Sequence, residues 1–214
     1  QQRRLLIGMA ETYDVLVTVP GPGTWELRAT AQDGSGHATI RLGSGDPRHP
    51  APDVPDPDPY RMDDHLMAAL EESEPDPDAP EPERPLSPYA RLRAVENTAF
   101  APHLQRREIE LRLTGDMERY VWSFDDRTAS EDGVIPIRRG EVLRLTLIND
   151  TMMHHPLHLH GHFFRVIDER ELPDAPLKHT VDVPPMGTRV IEFEASESGD
   201  WLFHCHLLYH MHAG

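Results

Sequence analysis

Proline and acid are crowded into one stretch, Asp46 to Pro88, and that stretch divides the chain. It holds 12 of the 21 prolines and 13 acidic residues against 3 basic ones, ten of the sixteen net negative charges. Proline gives a β-ladder no donor, and runs such as Asp53-Val54-Pro55-Asp56-Pro57-Asp58-Pro59 repel themselves, so an extended, solvated linker is expected over residues 46–100. Met62 to Glu72 is the one segment there that suits a short helix. Met62, His65 and Met67 could gather copper ions loosely, but the spacer reading is favoured and no site is assigned.

On either side the pattern is β. Tyr13–Val19, Thr24–Ala29 and His37–Leu42 are rich in β-formers and are separated by Pro20-Gly21-Pro22-Gly23 and Asp33-Gly34-Ser35-Gly36, which predicts hairpin-linked strands. Three strands cannot cover their own faces and edges, so residues 1–45 are expected to be the end of a domain that begins upstream. Beyond the linker, strands are expected over Glu108–Leu113, Arg119–Phe124, Glu141–Asn149, Leu157–Ile167, Thr188–Glu194 and Asp200–His206. The alternating leucines of Val142-Leu143-Arg144-Leu145-Thr146-Leu147 suit a half-buried strand. Helical periodicity is nearly absent. Residues 101–214 therefore predict an all-β domain, an antiparallel sandwich or Greek-key barrel.

Charge and hydropathy exclude several functions. With 37 acidic and 21 basic residues the chain is a poor ligand for nucleic acid. No apolar run approaches the roughly 20 residues needed to span a bilayer, and Gln1–Gly8 is too short for a signal peptide and has no cleavage site. A single cysteine, Cys205, forms no internal disulfide and needs another explanation.

That explanation lies in the histidines. Nine of 14 fall in two windows, His154 to His162 and His204 to His212. Alternation along a strand puts His158 and His160 on one side, and sets His204 and His206 opposite to Cys205. Such a layout can serve two metal centres on opposite faces of one strand. Imidazoles with one thiolate favour copper over zinc. The bland alternatives are a surface histidine tract and a buried cysteine acting as a small hydrophobe. Leu157, Leu159, Leu207 and Leu208, interleaved with the histidines, argue against a tract.

The segments His155-Pro156-Leu157-His158-Leu159-His160-Gly161-His162-Phe163 and His204-Cys205-His206-Leu207-Leu208-Tyr209-His210-Met211-His212-Ala213-Gly214 resemble the two C-terminal copper motifs of multicopper oxidases. Leu113–Phe124, Asn149–Met153 and Lys178–Pro185 are similar to the bacterial copper-resistance, laccase-like branch. The resemblance is good over residues 108–214 and weaker over 1–45. It implies a cupredoxin-like fold, with the terminal strands of a preceding cupredoxin domain at residues 1–45. By the family pattern His155, Cys205 and His210 bind type 1 copper, His158 binds type 2 copper, and His160, His204 and His206 bind the paired type 3 coppers. Electrons would enter at type 1 and pass from Cys205 through backbone to His204 and His206.

The same resemblance implies Cu(I) or phenol-like donors, dioxygen reduced to water, a role in copper resistance, and the periplasm, any export signal preceding Gln1. Family members supply four more cluster histidines from an N-terminal cupredoxin domain, in two His-X-His motifs that this chain lacks, so the trinuclear cluster is half present. The axial type 1 position falls one residue past Gly214. A fragment of a longer chain is the expected reading. The rivals are a type 1 electron-transfer module without oxygen chemistry, and a half-oxidase subunit completed by a partner. His154, His162 and His212 are expected to face solvent, and Met152 and Met153 to pack in the core. His179 is expected to play a turn role, with a place at the type 1 edge as the alternative. Glu171 and Asp174 are open candidates for a substrate-facing loop.

Overall fold

A computed structural model describes residues 4–55, 87–131 and 133–214. The segment Met62–Glu72 lies outside them.

The first strands form a small sheet. β1 (Gly23–Thr30) and β2 (His37–Ser44) make an antiparallel hairpin with Trp25 opposite Leu42, and β3 (Arg48–His49) adds in parallel to β1. The turn between β1 and β2 uses Gly34 at φ 77°, and Asp33 accepts the Ser35 N–H at 2.9 Å. Tyr13–Val19, expected as a strand, forms no ladder. Val15, Leu16 and Val17 are exposed, and a β-rich sequence without an edge to pair with stays irregular.

The rest is two packed sheets. β4 (Arg106–Asp116), β5 (Val121–Phe124), β6 (Val142–Asn149), β8 (Phe164–Ile167), β9 (Leu177–Lys178) and β11 (Thr188–Glu194) form six strands in the order β5-β4-β6-β11-β8-β9. β7 (His155–Leu159), β10 (Thr180–Val183) and β12 (Phe203–Cys205) form three in the order β10-β7-β12. This is an all-β cupredoxin-like sandwich. It departs from the antiparallel expectation at one place, where β4 and β6 pair in parallel from Arg106 opposite Val142 to Leu113 opposite Asn149. The expected strand Leu157–Ile167 is two strands, broken at Gly161, whose φ is 73°. A Cβ there would meet the Trp201 ring at 2.5 Å.

Between the sheets lie Leu111, Leu113, Leu143, Leu145, Leu147, Leu157, Leu159, Phe164, Val166, Val181, Val183, Ile191 and Phe193. The alternating leucines of β6 are three of these, as their spacing requires. Both ends of the acidic stretch join folded structure: β3 at one end, and Tyr89 at the other, buried against the core in a 3-10 turn. A short helix, α1 (Leu208–His212), follows β12 within the second histidine window.

Register in the small sheet sorts the histidine windows onto two faces. Cys205 lies opposite Leu157, and Val181 and Val183 lie opposite Leu157 and His155, so these side chains share the inner face. One residue along, His158 lies opposite His204 on one side and Thr180 on the other, on the outer face.

Candidate metal centre

On the inner face β7 supplies His155, β12 supplies Cys205 and α1 supplies His210. The helix matters because His210 lies beyond β12, and the turn into α1 folds it back under the sheet. One ligand atom from each of the three side chains lies within 4.8 Å of the other two, and no other set of three or more His, Cys, Asp or Glu converges so among the described residues. His155 Nδ1 is 3.3 Å from His210 Nδ1, and Cys205 Sγ is 3.7 Å from that same nitrogen. His155 and His210 are 3% and 2% exposed, so the two imidazoles meet away from solvent, and Cys205 beside them is half-buried.

Burial sets their protonation. It pushes His155 down to about 3, with His210 as a second, smaller cause, and it lowers His210 too. Burial likewise pushes the Cys205 thiol up to about 12. At neutral pH the site therefore presents two neutral imidazoles and one thiol, and a cation that binds must displace the thiol proton.

Neighbours hold the rings. Trp122, on β5, stacks on His210 with centroids 4.0 Å apart and meets His155 edge-on at 5.3 Å. Thr151 Oγ1 is 2.8 Å from His155 Nε2, and Asn149, only 1% exposed, bonds Thr151 in turn. Next to His155, His154 Nδ1 is 2.9 Å from Asp182 Oδ2.

The outer face carries the other four histidines, each half-buried. His160 Nε2 and His204 Nε2 are 3.1 Å apart. The His158 ring lies 4.7 Å from His160, 5.7 Å from His204 and 5.8 Å from His206, centroid to centroid. His158 Nδ1 donates to the His179 carbonyl at 2.8 Å, which leaves Nε2 as its lone-pair nitrogen. Burial lowers His158 and His204 as well. The four imidazoles form a group, but not a set whose ligand atoms meet at one point.

A family profile described as multicopper oxidase matches residues 103–214. The chain belongs to the multicopper oxidase family. Copper resistance protein A of Escherichia coli is 49% identical over 108 residues, half of this chain and 18% of that protein. Multicopper oxidase MmcO of Mycobacterium tuberculosis is 33% identical over 218 residues, 98% of this chain and 37% of that protein. The crystal structure of McoA multicopper oxidase from Aquifex aeolicus is 26% identical, with a TM-score of 0.43 over 54% of this chain and 29% of that one. The chain thus spans less than two fifths of these relatives. Copper is the metal of this family, and the donors on the inner face fit it. Two neutral imidazole nitrogens and one sulfur, enclosed in an apolar interior, are a set that soft-to-borderline copper accepts and hard cations do not.

Several flanking residues differ from expectation. His162 is buried, not solvent-facing: it packs on Phe193, and Glu197 N–H donates to its Nε2 at 3.4 Å. Met152 is exposed and Met153 half-buried, because Asn149 and Thr151 occupy the interior side of that loop. His179 lies against His158, with ring centroids 5.3 Å apart, and so belongs to the outer face, not to the Cys205 edge. Glu171 is in an ion pair with Arg144.

Sequence reasoning gave no role to Asn149, Thr151, Trp122 or Asp182. Their contacts are made across strands and loops, and no spacing announces them. It also missed a strap, Gly8–Tyr13, laid along β9 and β10. Glu11 there is buried and pairs with Lys178 at 3.0 Å, while the Tyr13 and Tyr89 hydroxyls donate to it at 2.7 and 2.9 Å. In the sequence Glu11 stands between Ala10 and Thr12 with Asp14 close by, and nothing there marks it as buried.

Proposed function

We propose that this chain is the copper-binding C-terminal part of a multicopper oxidase of the copper-resistance kind, which oxidises Cu(I) or phenol-like donors and reduces dioxygen to water. The observation that carries the reading is the convergence of His155 Nδ1, His210 Nδ1 and Cys205 Sγ on one point beneath the sheet. These three residues would hold type 1 copper, His158 type 2 copper, and His160, His204 and His206 type 3 copper. Bound copper supplies one-electron redox chemistry that the polypeptide lacks.

The chain's own part is positional. Burial keeps the imidazoles neutral and the half-buried thiol protonated. Cys205 sits between His204 and His206 in sequence, so a short covalent path joins the inner face to the outer one. The outer histidines are half-buried, and the His160 backbone N–H donates to the carbonyl of exposed Leu202 at 2.9 Å. A face of that kind suits a second cupredoxin domain that brings the remaining histidines, from the same longer polypeptide or another subunit. No helix among the described residues is long and apolar enough to cross a membrane, and the periplasm is the compartment the copper-resistance resemblance suggests.

Oxygen uptake by a form completed with that domain tests the reading. Uptake with Cu(I) or a phenol is expected, and His158→Ala and His206→Ala are expected to abolish it. Unchanged turnover in both variants would overturn the cluster assignment. A second reading, a type 1 electron-transfer module without oxygen chemistry, is favoured by one fact: among the described residues only the inner set converges. It predicts a coloured copper protein and no uptake even when completed.

A further inference from the structure

The hydrogen bonds behind His155 can be given directions. Asn149 Nδ2 faces three carbonyls, those of Met153 at 2.7 Å, Pro184 at 2.8 Å and Val183 at 3.2 Å. Carbonyl oxygens only accept, so the amide nitrogen must lie on that side and Oδ1 on the other. Asn149 Oδ1 then accepts the Thr151 N–H at 2.9 Å and stands 2.8 Å from Thr151 Oγ1. Two oxygens at that distance need a proton between them, and only the hydroxyl has one. Thr151 therefore donates to Asn149, and its one proton is used. Toward His155 Nε2, at 2.8 Å, its oxygen can only accept.

We infer that Thr151, aimed by Asn149, is a positioning residue that locks His155 as the Nε2–H tautomer and leaves the Nδ1 lone pair facing Cys205 and His210. The inference deepens the proposed function, since it assigns the residue that prepares one copper ligand before any metal arrives. The two groups that set the lock, Asn149 and Thr151, are both buried, so water cannot reverse the hydroxyl. His210 Nδ1, 3.3 Å from His155 Nδ1, must then supply the proton for that contact in the metal-free chain.

The test reads the tautomer directly, by two-bond nitrogen–proton correlation spectra of the metal-free full chain, and then reads copper affinity by competition against a chelator. Wild type is expected to show His155 as Nε2–H. Thr151→Val keeps the shape and removes the acceptor, so its His155 should shift toward Nδ1–H, and copper should bind about 10- to 100-fold more weakly. Thr151→Ser restores the hydroxyl and should recover both. Thermal melting of the three proteins separates this effect from misfolding. A Thr151→Val chain that keeps the Nε2–H form, or that changes tautomer while binding copper as wild type does, overturns the inference. A wild-type chain that shows the locked tautomer yet takes up no copper contradicts the proposed function and leaves the lock standing.

Discussion

Trp122 lies flat on His210, ring centroids 4.0 Å apart and planes within 29°. What allows this is Gly115 on the neighbouring strand, where a Cβ would sit 2.4 Å from the Trp122 ring. Any side chain at 115 must push the indole, which packs against the His210, His155 and Tyr120 rings. Gly115→Ala is expected to lower stability by about 1–3 kcal/mol, the usual cost of overpacking, and to weaken copper binding at the inner face. Urea unfolding and copper competition on the same variant check both. A variant as stable and as copper-avid as wild type would mean that Trp122 does not brace the site.

Protonation of the inner face makes copper uptake depend on pH in a stated direction. Burial holds His155 near 3 and lowers His210, so both rings are already neutral at neutral pH, while the Cys205 thiol, pushed up to about 12, must give up its proton. Binding should release one proton, and affinity should rise with pH by about tenfold per unit around neutrality. Calorimetry in buffers of different ionisation enthalpy counts the proton. Affinity that is flat with pH would place the thiolate outside the bound set.

Glu11 ties the first part of the chain to the sandwich, through Lys178 on β9. Its carboxylate has no exposed surface, and it pairs with Lys178, which is 8% exposed. Removing one member of such a pair leaves the other buried and uncompensated. Glu11→Ala is expected to cost about 3–5 kcal/mol, read as a lowered midpoint in thermal unfolding. A midpoint within the range of ordinary surface substitutions would show that the strap is not bound as described.

The sandwich was legible because its signals are local. Alternating leucines in β6 state their structure within a few residues, as does the turn at Asp33-Gly34 in the separate β1–β2 hairpin. The inner and outer faces were legible too, since period-two geometry separates Cys205 from His204 wherever the strand lies. The parallel pairing of β4 with β6 was not, because strand partners are set by topology rather than by the pattern of either strand. Tyr13–Val19 misled for a related reason: its β-propensity is real, but no strand edge among the described residues pairs with it. The role of α1 was hidden by its length, since five residues show no periodicity. Asn149 and Thr151 were quoted in the sequence as part of a resemblance, yet the amide of Asn149 is oriented in part by the carbonyls of Val183 and Pro184, distant in sequence.

The central claim is that Cys205, with His155 and His210, forms a copper site on the inner face. Adding Cu(II) to the metal-free chain and recording its visible spectrum tests this most directly. The account predicts an intense thiolate-to-copper absorption that saturates at one copper per chain and disappears in Cys205→Ser. A chain that stays colourless, or a band that survives in Cys205→Ser, would contradict it.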